Sequence, residues 1–180
     1  MMSTITTFTK KKIDPMNPSE EAIDETDIAH ALSLMTRANG HFPEFYSVAQ
    51  HCNACCNEAE ARGYSARVVL GCLLHDASEA YLSDITRPVK QYLEVYQQAE
   101  SIFQSKVYTK FLGTDLTEEE RHLVQNVDDS LLYYEFKHYM GEELPVEKSE
   151  LKAETNFAPY DFLACELEFL SLLEIWKGKL

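Results

Sequence analysis

The sequence predicts an all-α protein. Apolar residues recur three and four positions apart in several long segments, as on the buried face of an amphipathic helix. Glycine or proline separates most of these segments from one another, and no segment alternates convincingly between apolar and polar residues. Together these observations predict a helical bundle with about six main helices.

The first half of the chain contains three of the expected helices. Residues 1–23 contain three consecutive lysines and two prolines, which is typical of an extended arm or a short edge pairing. A first helix is expected to begin at the N-cap Asp27 and to end near Gly40. A second is expected over about 47–62, and a third, capped by the serine before it, over 66–82.

The second half of the chain contains three more expected helices. The Thr-Arg-Pro sequence at 86–88 breaks the third helix, and a fourth is expected over about 89–112. Thr117 with Glu120 three residues later forms a capping box, which predicts the start of a fifth helix. A loop with glycine and proline follows, and a last amphipathic helix is expected over about 160–176.

Length and charge limit the functions that the chain can have. At 180 residues it is most simply one domain, and its formal net charge is −14, with 16 basic and 30 acidic residues. Because nucleic-acid affinity is built largely from Lys and Arg contacts to phosphate, this balance opposes binding to a nucleic-acid polymer. It still allows a small anionic substrate. No apolar run is long enough to span a membrane, so no membrane partner is expected.

The cysteines indicate a reducing compartment. There are five, an odd number, and the N-terminal residues have no apolar signal region, so we expect free thiols in the cytoplasm. Cys52, Cys55 and Cys56 could form half of a zinc site, but no second pair follows at zinc-finger spacing. Buried thiols in a helix are therefore expected.

Four residues suggest a metal site. His75 and Asp76 are adjacent after two leucines, with His51 on the preceding helix and Asp128 on the fifth helix. Asp128 has apolar residues at i−4, i+3 and i+4, so its carboxylate is expected to face the core, where it needs a cation or strong hydrogen bonds. Two imidazoles and two carboxylates suit one divalent Mn, Co, Fe, Zn or Mg ion. A core ion pair for Asp128 and a half-exposed role for His51 are the alternatives.

Further polar residues surround this set in sequence. Glu79 and Asp84 could act as acid or base on a water, although a helix N-cap role for Asp84 is an equal competitor. A phosphate would need positive charge, for which Arg37, Arg87 and Lys90 are the candidates. His30 and His41 are expected to be structural or rim residues.

The arrangement of His51, His75-Asp76 and Asp128 on successive helices resembles the signature of HD-domain metal-dependent phosphohydrolases. The stretches DIAHALSLMTRANGH, YSVAQH and LLHDASEAYLSDITRPVK resemble the branch that includes bacterial 5′-deoxynucleotidases, over about residues 24–140. The resemblance implies one HD-type domain over 1–180, with an arm (1–23), a metal-site core (24–140) and a C-terminal loop and helix (141–180).

By that resemblance, His51, His75, Asp76 and Asp128 would bind one divalent metal. Glu79 would act as general acid or base, Asp84 would help to place the water or the sugar, and Arg37 would hold the phosphate. Relatives often carry a large aromatic residue directly after this arginine, whereas this chain has Ala38. That departure leaves the sugar preference open.

The expected function is hydrolysis of a nucleoside 5′-monophosphate, with a deoxynucleotide favoured, to nucleoside and phosphate. One alternative is HD chemistry on a phosphodiester, a nucleoside triphosphate or a pyrophosphate-type nucleotide. A second is a metal-containing binding module without catalysis. The expected partner is a small phosphorylated molecule, and a helical domain of this size could also form a homodimer.

Overall fold

The computed structural model describes residues 3–180 and confirms the all-α class. An antiparallel hairpin, β1 (Ile5–Thr6) and β2 (Lys12–Ile13), precedes the helices. The helices are α1 (Glu25–Leu34), α2 (Val48–Ala61), α3 (Ala66–Leu74), α4 (Glu79–Leu82), α5 (Arg87–Lys90), α6 (Glu94–Leu112), α7 (Glu118–Met140) and α8 (Phe162–Lys177). Six of them contain nine or more residues, in agreement with the predicted number of main helices.

The predicted arm forms the hairpin, apart from its first two residues, which lie outside the described part of the chain. Asp27 was expected to cap the first helix, and this prediction is wrong. The N-cap is Asp24, whose side chain accepts a 2.8 Å hydrogen bond from the Thr26 backbone N–H. Asp27 lies inside α1 and accepts two hydrogen bonds from Thr9, at 2.7 and 2.8 Å. Its carboxylate therefore ties the hairpin to the first helix.

The first helix also ends earlier than expected. It stops at Leu34 instead of near Gly40, and a 3₁₀ turn over Arg37–Gly40 follows. The chain leaves the helix because its backbone pairs with the segment before α2: the Arg37 N–H donates to the Tyr46 carbonyl, and the Val48 N–H donates to the Met35 carbonyl, both at 2.9 Å.

The third helix is interrupted just where the site residues begin. Instead of one helix over 66–82, α3 ends at Leu74, and a turn separates it from the short α4. The Gln104 side chain, from α6, donates to the Leu74 carbonyl at 2.7 Å and accepts from the Ser78 N–H at 3.1 Å. The break in the helix leaves a backbone C=O and a backbone N–H without helical partners, and this one side-chain amide bonds both. Buried backbone groups need such partners.

The expected fourth helix is likewise divided. The short α5 has Pro88 in its first turn, and α6 starts only after Leu93, whose ψ of 66° is not helical. The Gln97 side chain donates to the Lys90 carbonyl across this gap. The expected helix over about 89–112 has helical spacing of its apolar residues throughout. Periodicity therefore could not predict this break.

Several helix starts agree with the sequence. Ser47 and Ser65 cap α2 and α3 through their side chains, and Thr117 and Glu120 form the predicted capping box of α7. The last helix has its N-cap at Asp161. These caps each satisfy backbone N–H groups that the first turn of a helix leaves without a partner.

The core is centred on α2 and α3. Helix α2 packs against α3, α7 and α8, and α3 packs against α6, α7 and α8. Gly71 allows the close approach of α3 to α7, since a Cβ atom there would lie 3.2 Å from Val124 Cγ2 and 3.3 Å from Leu116 Cδ1. This close packing brings the end of α3 next to the middle of α7. Within residues 3–180, no helix combines the length and the apolar character that crossing a membrane requires.

The segment between α7 and α8 is anchored on α2 by a buried carboxylate. Glu58 accepts hydrogen bonds from the backbone N–H groups of Lys152 and Ala153 at 2.9 and 2.8 Å. Its other oxygen accepts from Arg62 Nε at 2.7 Å. Removing the carboxylate would leave two backbone donors and a guanidinium without their acceptor.

We therefore expect Glu58→Ala to lower the free energy of unfolding by about 3 kcal/mol, the cost of breaking one side of a buried ion pair. Urea unfolding followed by circular dichroism measures it. The matched control is Glu60→Ala, at an exposed position of the same helix, for which a change within about 0.5 kcal/mol is expected. Equal effects of the two substitutions would contradict this anchoring.

Candidate metal centre

Three helices bring the four predicted ligands together. His51 lies in α2, His75 and Asp76 directly follow α3, and Asp128 lies in the middle of α7. His51 Nε2 is 3.2 Å from His75 Nε2 and 3.1 Å from Asp128 Oδ1. His75 Nε2 is 3.3 Å from Asp76 Oδ2 and 3.6 Å from Asp128 Oδ1. Two imidazole nitrogens and two carboxylates therefore face one small volume.

The opposite edge of each imidazole has its own hydrogen-bond partner. His51 Nδ1 is 2.5 Å from Glu135 Oε1, and His75 Nδ1 is 2.7 Å from the Cys72 carbonyl oxygen. Both partners are acceptors, so each Nδ1 carries a proton and donates. In a neutral ring, Nε2 then presents a lone pair. Two such lone pairs and two anionic oxygens converge, and this arrangement is stable only with positive charge among them.

The donor set fits a metal ion. Ligand atoms about 2.1 Å from a metal lie about 3.0 Å apart at adjacent corners of an octahedron and about 3.4 Å apart in a tetrahedron. The four separations given above, 3.1–3.6 Å, lie within about 0.3 Å of the tetrahedral value. Mixed nitrogen and oxygen donors suit several divalent ions. The residues present therefore fit the metal that the sequence predicted.

Protons are a further source of positive charge in this cluster, besides the guanidinium groups of Arg37 and Arg87 that pair with its carboxylates. Burial and Arg37 lower the pKa of His51, but Glu135 and Asp128 outweigh them and raise it above its ordinary value. Burial also lowers the pKa of His75, whereas Asp76 and other neighbours raise it well above its ordinary value. Burial raises the pKa of Asp128, but hydrogen bonds from the two histidines hold it well below the usual range. Protons and a metal would compete for the same four groups.

Two thiols lie beside the same cluster. The predicted burial of the cysteines is confirmed, and all five, which lie within the described residues, are free thiols. Donor atoms of His51, Cys55 and His75 lie within 4.8 Å of one another, as do those of Cys52, His75 and Asp76. The structure thus contains clustered His, Cys and Asp side chains that could hold a metal ion.

Burial disfavours the thiolate form of both cysteines. It raises the pKa of Cys52 to about 11 and that of Cys55 well above its ordinary value. A thiol must lose its proton to bind a metal. The carboxylates of Asp76 and Asp128 already carry the charge, so we favour them over the thiols as ligands.

The centre opens into a pocket of about 720 Å³. His75, Asp76, Glu79, Asp84 and Asp128 line it. Its other lining side chains include cationic residues (Arg37, Arg87, Lys90 and Arg121) and apolar ones (Phe42, Leu132, Phe136, Leu144 and Val146). Three of the four predicted ligands and both predicted acid–base residues therefore line one cavity, whereas His51 is fully buried behind it and is not part of its lining.

Arg37 lies beside the ligands, on the pocket wall. Its Nη1 is 3.4 Å from Asp76 Oδ2 and its Nη2 is 3.4 Å from Glu135 Oε2. Two of the five guanidinium N–H groups are used in these contacts, which leaves donors for a further anion. The next residue, Ala38, has a φ of 51°, a left-handed conformation that costs an alanine about 1 kcal/mol or more. That tight turn places Arg37 at the pocket.

Glu79 and Asp84 are both in the pocket, with different surroundings. Glu79 is buried, and its Oε2 has no hydrogen-bond partner within residues 3–180. Burial, Asp76 and Asp84 raise the pKa of Glu79 well above its ordinary value. Burial also raises the pKa of Asp84. The N-cap of α5 is Thr86, so Asp84 does not take the capping position that was its alternative.

The remaining charged candidates and His30 have structural partners. Arg87 pairs with Asp128 Oδ2 at 2.7 Å and also contacts the neighbouring Asp129. Lys90 pairs with the Glu100 carboxylate of α6 at 2.7 Å. His30 stacks on a phenylalanine of the hairpin and bonds Glu166 at 3.0 Å, away from the pocket, and His41 is exposed.

Glu135 was not among the candidate residues predicted from the sequence. This side chain is fully buried in α7 and contacts both His51 and Arg37. The available signal was its position seven residues after Asp128, which places both carboxylates on one face of the helix. A second acidic residue on a core-facing stripe has the same need for a cation as the first.

Comparison with known proteins gives relatives but no function. No family model matches the chain. It is 36% identical over 112 residues to the uncharacterized protein YfdR of Escherichia coli strain K12, an alignment that covers 61% of this chain and 59% of that protein. It is 39% identical over 85 residues to the uncharacterized protein RCAP_rcc00048 of Rhodobacter capsulatus, which covers 44% of this chain and 43% of that protein. The chain thus spans about three fifths or less of the curated relatives that it matches.

Proposed function

We propose that this protein is a divalent-metal-dependent phosphohydrolase of the HD type. Its favoured substrate is a nucleoside 5′-monophosphate, especially a deoxynucleotide, which it would hydrolyse to nucleoside and phosphate. The observation that carries the proposal is the convergence of His51 Nε2, His75 Nε2 and the carboxylates of Asp76 and Asp128, at 3.1–3.6 Å from one another along the cluster. The HD assignment itself rests on the resemblance in sequence.

The four residues would hold one Co, Mn, Fe, Zn or Mg ion. Such an ion, when bound, neutralises phosphate charge and makes water a better nucleophile at neutral pH. His51 and His75 contribute neutral nitrogen donors whose direction is fixed by Glu135 and by the Cys72 carbonyl. Fixed donors hold a ligand set in place without reorganisation.

Arg37 would bind the phosphate, because its remaining N–H donors lie on the pocket wall beside Asp76. Glu79 would move the proton. Burial and its acidic neighbours favour its neutral acid form, so it can donate to the leaving oxygen of the ester. Asp84, in the same pocket, would accept a hydrogen bond from the water or the sugar.

The apolar part of the pocket supports a nucleoside as the leaving group. Leu132 and Phe136 follow Asp128 along one face of α7, four and eight residues later. Phe42 packs edge-on against Phe136, with ring centroids 5.2 Å apart. Flat bases stack on such aromatic surfaces. The pocket therefore has an apolar, aromatic part in the same cavity as Arg37, where a base could pack.

One alternative has an observation in its favour. Lys90 and Arg121 line the same pocket and could meet a second phosphoryl group, as in a nucleoside triphosphate, a pyrophosphate-type nucleotide or a phosphodiester. Product analysis distinguishes these reactions, because a monophosphate releases inorganic phosphate, a pyrophosphate-type substrate can release pyrophosphate, and a phosphodiester releases neither. As part of the proposal, the enzyme acts in the cytoplasm on small nucleotides and not on nucleic-acid polymers, in keeping with its net charge of −14 and five free thiols.

The direct test of the proposal is hydrolysis by metal-stripped protein refilled separately with Mn, Co, Mg and Zn. We expect phosphate release from a deoxynucleoside monophosphate and a loss of about 100-fold or more in Asp76→Asn, since even partners of ligands are worth about 10–100-fold. Glu119→Gln, at an exposed position of α7, is the matched control. If the protein binds metal but hydrolyses no phosphate ester, the enzymatic proposal is wrong and the alternative of a metal-containing binding module is favoured.

We expect Glu79→Gln to lower kcat by about 10²–10⁴-fold, the range for a general acid or base, while metal affinity stays unchanged. The reason is that Glu79 is placed to move a proton and is outside the proposed ligand set. Steady-state kinetics with the same deoxynucleotide, together with a metal titration, measure both quantities. A variant with the wild-type kcat would remove Glu79 from the mechanism.

The affinity for metal should increase with pH across the neutral range. The two histidines have raised pKa values, so at lower pH they hold protons that must leave before a metal binds. Apparent affinities measured calorimetrically at about pH 6, 7 and 8 should therefore increase at each step, and binding should release protons to the buffer. An affinity that is constant over this range would contradict binding through His51 and His75.

A further inference from the structure

Glu135 lies beside the proposed metal site, but it is neither one of the four proposed ligands nor one of the proposed acid–base residues. It follows Asp128 by seven residues on α7, about two turns or 10.5 Å along the helix axis, on the same face. Its side chain is fully buried. A buried carboxylate is costly, and well-packed apolar residues in place of a buried ion pair are often at least as stable.

The two oxygens of Glu135 have different partners. Oε1 accepts from His51 Nδ1 at 2.5 Å, a short, charge-assisted contact between two fully buried groups. Oε2 faces Arg37 Nη2 at 3.4 Å. The same guanidinium meets Asp76 through its other terminal nitrogen. One carboxylate therefore contacts a proposed metal ligand and the proposed phosphate-binding residue at once.

The contact with His51 decides which nitrogen of the ring is available. With Nδ1–H donated to Glu135, Nε2 is the free donor atom, and it is this atom that lies 3.2 Å from His75 Nε2 and 3.1 Å from Asp128 Oδ1. If the acceptor were lost, the ring could change tautomer or rotate, and Nε2 would no longer be held toward the cluster.

We propose that Glu135 is a positioning residue that orients His51 for the metal and Arg37 for the substrate phosphate. The inference rests on the proposed function, since it takes the four-residue cluster as the metal site. Metal binding and phosphate binding then depend on one buried side chain. Their loss together on substitution distinguishes this role from that of an ordinary ion pair in the core.

The test is the substitution Glu135→Gln, which keeps size and removes charge. The matched control is Glu166→Gln, because Glu166 also pairs with a histidine, His30, at 3.0 Å and is buried, but lies away from the pocket. Metal-stripped protein is titrated with Mn by calorimetry. We expect about 10–100-fold weaker binding in Glu135→Gln, as for other partners of metal-binding histidines, and wild-type binding in the control.

The second readout is inhibition by inorganic phosphate at saturating Mn. Phosphate should inhibit Glu135→Gln less strongly than the wild type, because Arg37 has lost one of its two carboxylate partners. Wild-type metal affinity in Glu135→Gln would overturn the His51 part of the proposal. Unchanged phosphate inhibition at saturating metal would overturn the Arg37 part.

Imidazole ¹⁵N NMR of the unaltered protein loaded with Zn tests the proposal without a variant that could fail to fold. We expect His51 to carry its proton on Nδ1, and a proton on Nε2 would contradict the proposal.

The outcomes of these experiments also separate the positioning role of Glu135 from the proposed enzymatic function. If Glu135→Gln loses metal but the wild type hydrolyses no phosphate ester, only the enzymatic function fails. If the wild type is active and Glu135→Gln binds metal normally, only the positioning role fails.

Discussion

The convergence of four electron-pair donors in a largely buried site is the constraint on which the rest of this structure depends. His51 Nε2, His75 Nε2 and the two aspartates lie 3.1–3.6 Å from their neighbours along the cluster. Arg37 and Arg87 each pair with one of the carboxylates from outside, but the facing lone pairs still need protons or a metal ion between them. Apolar residues of the same volume would pack into the core at no such cost. The cluster is therefore a group of side chains that could hold a metal ion, and its mixed nitrogen and oxygen donors suit several divalent metals.

The fold is arranged so that three helices meet at this point. Gly71 allows α3 to approach α7 closely, and the interruption after Leu74 turns the chain so that His75, Asp76 and Glu79 all reach one cavity. Gln104 stabilises this interruption, because its side chain bonds the Leu74 carbonyl before the break and the Ser78 N–H after it. The packing that stabilises the bundle and the geometry of the site are thus the same set of contacts.

Much of this could be predicted from the sequence, because helix caps and the 3.6-residue period are local signals. Ser47, Ser65 and the Thr117–Glu120 box lie where the pattern placed them, and the four candidate ligands do come together. Asp128 was a candidate because of its apolar neighbours taken together with the His75-Asp76 pair. The same reasoning, applied to the position seven residues later, would have found Glu135.

Other features depend on partners that are distant in sequence. The break after Leu74 depends on a glutamine thirty residues later, and the early end of α1 depends on backbone pairing with the segment before α2. Asp24 is the cap instead of Asp27, and distant residues hold both: Lys11 pairs with Asp24, and Thr9 bonds the Asp27 carboxylate. The closeness of Cys52 to His75 likewise follows from how α2 faces the end of α3, whereas Cys55 lies one turn after His51 in the same helix.

The most direct measurement is an anomalous difference map from crystals grown with Mn. The account predicts one strong peak within about 2.2 Å of His51 Nε2, His75 Nε2 and a carboxylate oxygen each of Asp76 and Asp128, a distance typical of metal–ligand bonds. A peak bound instead by Cys52 or Cys55, or a map with no peak between the two histidines at saturating Mn, would contradict the claim that these four groups form the metal centre.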